Sequence, residues 1–100
     1  MKYRYSTKEG QFETNIWDEI PWDNLHSLND KPAFEDLGIG YKDWRFEGKW
    51  HRDNGPAIIY SNGNYYFWLN DKMYENVNDW LTDNLNKDTL FQVQIILKYS

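Results

Sequence analysis

The sequence contains no cysteine. Disulfide staples and thiolate metal sites are therefore excluded, and a reducing cytoplasm is the expected setting. Long apolar runs are also missing. None approaches the roughly 20 residues of a membrane helix, and the opening MKYRYSTKEG has no apolar stretch of the kind a secretory leader carries. Positive charge is scarce, with 11 basic residues against 16 acidic ones and a net charge of −5. Both halves are acidic, so the excess is not a tail, and simple attraction to nucleic acid or anionic lipid is disfavoured. An acidic face that meets a basic groove on another protein remains compatible with this balance. Nucleophile elbows, phosphate loops and dinucleotide loops are absent. Gly38-Ile39-Gly40 is a bare G-x-G that a hairpin turn explains better.

Aromatic residues are abundant: 19 of the 100 residues are Phe, Trp or Tyr. Each ring buries a large area, so residues 1–100 can build one small domain with few core positions. Rings also favour strands. Residues 2–6 alternate, Thr7 to Gly10 reads as a turn, and residues 11–17 complete an N-terminal hairpin. Residues 18–31 are polar and irregular, pinned by Ile20, Trp22 and Leu25.

Further on, Pro56 opens the run Ala57-Ile58-Ile59-Tyr60, Ser61-Asn62-Gly63 is a strong turn, and residues 64–69 (NYYFWL) return. Asn70-Asp71 forms a second turn. Alternation puts Ile58, Tyr60, Tyr66 and Trp68 on one side and Ile59, Tyr65 and Phe67 on the other, so both faces are apolar and need covers. At residues 76–85 the period changes: Val77, Trp80, Leu81 and Leu85 share a helix face, with Asn76 as N-cap. Residues 89–100 fit either a helix or an alternating strand. The helix is favoured, with Thr89 and Gln92 as a capping box, Asn86-Lys87-Asp88 as its entry turn, and Leu90, Val93 and Leu97 on one face.

Residues 26–50 and 51–74 align as an internal repeat. His26 matches His51, Pro32-Ala33 matches Pro56-Ala57, Gly40 matches Gly63 and Lys49 matches Lys72, with two single-residue gaps. The run from Phe46 through Gly63, which contains G-K-x-H-R-x-x-G-P-A, and its continuation to Lys72 resemble the MORN-like repeat of small bacteriophage and bacterial proteins. The pattern departs at Asp71, where Gly is usual, and at Tyr74, where His would open another copy, so the array is expected to end there. The resemblance implies an antiparallel hairpin meander; with the tail at residues 76–100 as a helical cap, the expected class is α+β.

The two histidines lack metal-ligand spacing and sit at matching repeat positions, which favours a structural role at turns. Asp18-Glu19 and Glu35-Asp36 are neighbours and do not converge if extended. Rings at Trp44, Trp50, Tyr65, Phe67 and Trp68 are the candidate partner-binding residues, against the plainer reading that rings pack a core. The expected function is that of a non-enzymatic, cofactor-free protein-binding module, phage-encoded by resemblance, that blocks or modulates a bacterial host or defence protein in the host cytoplasm. Open alternatives are a nucleotide-sequestering aromatic pocket, an acidic DNA mimic and a self-assembling structural subunit such as a homodimer.

Overall fold

Alternating residues and glycine- or asparagine-bearing turns yield nine short strands in the computed structural model, which describes residues 2–84 and 88–99. These are β1 (Tyr3–Thr7), β2 (Gly10–Thr14), β3 (Phe34–Asp36), β4 (Tyr41–Asp43), β5 (Arg45–Phe46), β6 (Lys49–Trp50), β7 (Ile58–Ile59), β8 (Tyr65–Leu69) and β9 (Lys72–Tyr74). Seven form one antiparallel sheet in the order β2-β1-β3-β4-β7-β8-β9, while β5 and β6 pair separately. Residues 15–33 hold two 3-10 turns, Trp17–Glu19 and Trp22–Asn24. Ile20 and Leu25 are buried, as expected of pins, and Trp22 packs beside them. Helices α1 (Val77–Asp83) and α2 (Thr89–Tyr99) follow. The chain is thus an α+β hairpin meander closed by a helix pair.

The repeat is visible in the backbone hydrogen bonds. His26 N–H donates to Ser6 O, and His51 N–H donates to Trp44 O. Ala33 N–H reaches Asp43 O, and Ala57 N–H reaches Tyr66 O. Gly48 N–H closes on Leu25 O at 2.8 Å, and Asp71 N–H closes on Trp50 O at 3.0 Å. The turn residues Glu47-Gly48 and Asn70-Asp71 all have positive φ, as a two-residue hairpin turn of matching twist requires. Asp71 therefore occupies a glycine conformation without being glycine, which Asp tolerates better than most residues. Ser6 N–H donates to Ala33 O as Trp44 N–H does to Ala57 O, so β1 stands where β4 stands one unit later. Between that first hairpin and His26 lies a segment, residues 15–25, with no counterpart between β6 and His51.

Register assigns the faces. Ile58 lies opposite Tyr66, and Ile59 opposite Tyr65, which places these residues on the two faces that alternation predicts. One face carries Phe67, Leu69 and Tyr74, packed against Val77 and Trp80 of α1 and Ile95 of α2. The same face continues across β4, β3, β1 and β2 as a charged row, Lys42–Glu35–Arg4–Glu13, with Arg4 3.4 Å from Glu13 and 3.7 Å from Glu35. The opposite face gathers Tyr3 and Phe34 with Ile20, Leu25 and Ala33 of the irregular segment.

The caps differ in one respect from the sequence reading. Asn76 Oδ1 accepts from Asp79 N–H and caps α1 as expected. At α2, however, the capping oxygen is Asp88 Oδ1, which accepts Phe91 N–H at 2.8 Å, so Asp88 replaces Thr89 as the N-cap. A carboxylate at that site also meets the positive helix end. Leu90, Val93 and Leu97 do share a face, but it points outward. Phe91, Ile95 and Tyr99, four residues apart, take the inward side and pack on the α1 core. Leu85 and the Asn86-Lys87 part of the entry turn lie outside the described residues.

Gly48 and Gly63 provide a paired test. Both have positive φ, but a Cβ on Gly48 would lie 2.5 Å from Asp23 O, whereas one on Gly63 meets nothing within 4 Å. Gly63→Ala is expected to cost about 1 kcal/mol and Gly48→Ala about 3 kcal/mol or more. Urea unfolding of the two variants measures the difference.

Candidate functional site

The segment 15–25 lies over the face opposite the helices and places Trp17 and Trp22 on the sheet. The rings form a continuous chain. Trp17 and Trp22 have centroids 4.8 Å apart, Trp22 lies 4.9 Å from Phe34, and Phe34 lies 6.0 Å from Tyr41. Tyr41 is 5.3 Å from Tyr60, and Tyr60 meets Tyr66 edge-on at 5.9 Å. The row thus crosses β3, β4, β7 and β8. Much of it faces solvent: Trp17 is 51% exposed, Tyr60 42% and Tyr66 40%, and the adjoining turn adds Ile39 at 57%. A cleft of about 360 Å³ opens between Trp17, Trp22, Phe34, Ile39 and Tyr41, with Asp36, Asp43 and Arg45 among its lining residues. A roomier cleft of about 510 Å³ at Tyr5, Lys8, Phe12, Pro21 and Glu47 is crossed by the Lys8–Glu47 ion pair at 2.7 Å and is less apolar.

A buried polar set backs the apolar cleft. Asp43 is fully buried. Arg45 donates to it twice, Nε to Oδ1 at 3.1 Å and an Nη to Oδ2 at 3.3 Å. Tyr41 Oη donates to Oδ2 at 3.0 Å. Burial pushes the Asp43 carboxyl above the usual carboxylate range, against the opposing pull of Arg45, Tyr41 and the Trp50 indole. Trp50 Nε1 is buried and makes no hydrogen bond of ordinary geometry. Burial, then the neighbouring Asp43 charge, raises the Tyr41 hydroxyl out of its ordinary range. Arg45 also lies 5.5 Å from the Trp22 ring and 5.2 Å from the Trp50 ring, so one guanidinium fixes the carboxylate and both indoles.

The sequence-derived candidates separate into core and surface. Trp44 is 5% exposed and Phe67 3% exposed. Trp44 donates its Nε1–H to Asp30 O at 2.9 Å and is covered by Arg52, whose guanidinium lies 3.9 Å from the ring and pairs with Asp30. Phe67 packs on Trp80 at 4.7 Å. Neither presents a surface to a partner. Trp50 and Trp68 are half-buried and pack on each other at 4.7 Å. Tyr65 is exposed, but its hydroxyl donates to Tyr99 O at 2.7 Å. Trp17 and Ile39 escaped sequence reasoning as candidates, whereas Tyr60 and Tyr66 enter it as rings on an apolar face that needs a cover. The available signal for Trp17 was the length of residues 15–25, which exceeds what the repeat needs.

Both histidines and three of the four neighbouring carboxylates have structural partners. His26 Nδ1 accepts Glu47 N–H and His51 Nδ1 accepts Asn70 N–H, both at 3.1 Å; His51 Nε2 reaches Asp53 at 2.9 Å. Glu19 accepts the Thr14 hydroxyl, Glu35 pairs with Arg4, and Asp36 accepts Gly38 N–H. Among the described residues no group of three or more His, Asp or Glu side chains is placed to hold a metal ion, and no helix is long and apolar enough to cross a membrane. No protein-family model, curated protein or solved structure matches the chain.

Arg45→Met isolates the buried carboxylate. A folded-state pKa above the unfolded one means that the contribution of Asp43 is present at acid pH and is lost as pH rises through its titration. Removing Arg45 strengthens that trend. The variant should lose about 3–5 kcal/mol near pH 7 and regain part of it near pH 4, relative to wild type at each pH. Chemical denaturation at the two pH values reads the effect.

Proposed function

We propose that this chain is a non-enzymatic protein-binding module that uses the aromatic row from Trp17 to Tyr66. The observation that carries the reading is a continuous aromatic row, buried at Phe34 and exposed at Trp17, Tyr60 and Tyr66, that residues 15–25 begin and the helices leave open. Exposed apolar surface of this kind favours an interaction site, and Trp and Tyr are the residue types enriched at energetic centres of interfaces. The rings are held by mutual packing and by Arg45, so little side-chain entropy remains to be lost on binding.

Charge selects the kind of partner. Asp18 and Glu19 follow Trp17 in its 3-10 turn, Asp36 lines the cleft, and Arg45, the one cation among its described lining residues, is committed to Asp43. The chain carries −5 overall. A partner with arginine or lysine beside apolar side chains matches both the rings, through cation–π contact, and the carboxylates. Following the resemblance at residues 46–72, we read the array as MORN-like, the chain as phage-encoded and the partner as a bacterial protein that it blocks sterically in the host cytoplasm. The fold by itself carries no function; the reading rests on the row.

Affinity capture from bacterial lysate with wild type, Ile39→Ser and Trp17→Ala tests it. Ile39 is exposed in a turn, so its variant should melt with wild type, and Trp17→Ala should lose about 1 kcal/mol of stability. Wild type should retain a protein near one-to-one stoichiometry, and both variants should bind it at least about tenfold more weakly. Retention of every captured protein equally by all three chains contradicts the reading.

A further inference from the structure

Helix α2 is apolar on both sides. Its inward residues Phe91, Ile95 and Tyr99 join the core. Leu90, Val93, Ile96 and Leu97 fall within about a third of the circumference on the outer side. They are 66%, 47%, 36% and 78% exposed. One apolar stripe of a surface helix faces the core, and a second stripe on the opposite side calls for a second cover. The outer stripe presents on the order of 400 Å² of apolar surface, the scale at which a patch marks an interaction site and about half of the ~800 Å² per partner of a standard interface.

We infer that this stripe is the contact between two copies of the chain, paired antiparallel through α2 about a two-fold axis. Charge favours a second copy. From Thr89 to Tyr99 the helix carries Lys98 and no carboxylate, so two molecules of charge −5 meet there with the least repulsion. Asp88 sits at the N-terminal end of the helix and Lys98 at the other. Antiparallel pairing sets each Asp88 end against a Lys98 end and opposes the helix dipoles favourably; parallel pairing sets like charge against like. With the axis near Val93 and Gln94, Leu90 of one protomer meets the partner's Leu97, and the contact is self-complementary as two-fold symmetry requires. The area is modest, so the dimer should dissociate on dilution. This contact lies on the helix side of the sheet, away from the Trp17 row, and is independent of the proposed partner site.

Light scattering or sedimentation over a concentration series tests the inference. Wild type should approach twice the chain mass of 12.2 kDa at high concentration and fall to one chain mass on dilution. Leu97→Glu should stay at one chain mass with an unchanged circular dichroism spectrum, because that side chain touches little of its own fold. The absence of native cysteine allows the orientation to be read by disulfide trapping. A mixture of Leu90→Cys and Leu97→Cys chains should cross-link readily, and each alone should not. One chain mass at every concentration, a dimer undiminished by Leu97→Glu, or efficient self-linking of Leu97→Cys would overturn the proposal.

Discussion

The N–H groups of Glu47 and Asn70 both end on a histidine ring nitrogen, and much of the meander hangs on those two closures. In each unit a histidine at the start of the unit reaches forward some twenty residues to the turn that ends it. The following turn amide closes on the carbonyl of the residue before that histidine. Start and end of a unit are thereby tied, and the strands between are held in register. Both turns carry consecutive positive-φ residues, and each ring nitrogen gives the first turn amide a protein acceptor in place of water. An accepting Nδ1 leaves the ring proton on Nε2, which at His51 meets Asp53. The histidines are latches, and ligand chemistry is not needed to explain them.

The repeat builds a sheet with rings on both faces, and the two faces are finished by different means. Helices close the Phe67 face. Residues 15–25, inserted between the first hairpin and His26, half-close the other. Repeat units specify architecture more than activity, so the place where the array departs from its own rule is where a binding surface is most informative. Here the departure supplies Trp17 and Trp22, and the row that they begin runs on through Tyr41 to Tyr66. Asp43 and Arg45 make that face rigid at the cost of a buried ion pair, which seldom adds net stability but strongly penalises loss of one partner.

Short-range signals in the sequence were sufficient for the second hairpin, whose Asn62-Gly63 turn and alternating flanks leave little choice, and for α1, whose Asn76 cap and three-four spacing agree. The repeat alignment also matched the backbone pairing, down to the gaps. Non-local competition decided the remainder. Whether Phe91, Ile95 and Tyr99 or Leu90, Val93 and Leu97 face inward depends on where Trp80 and Phe67 stand, which no local pattern states. Trp44 and Phe67 read as candidate surface from composition, yet Arg52 and α1 bury them. Trp17 reads from its local pattern as the last residue of a returning strand 11–17, but that strand ends at Thr14, and Trp17 opens a 3-10 turn that folds back on Phe34.

Native-state hydrogen exchange at the Glu47 and Asn70 amides addresses the latch account most directly. If each histidine closes its own unit, both amides are protected in the wild-type chain although their residues are exposed. His26→Ala then releases the Glu47 amide and leaves Asn70 protected, and His51→Ala does the reverse. Exchange of both wild-type amides at the rate of free turn amides, or equal loss of protection at both sites in either variant, would contradict it.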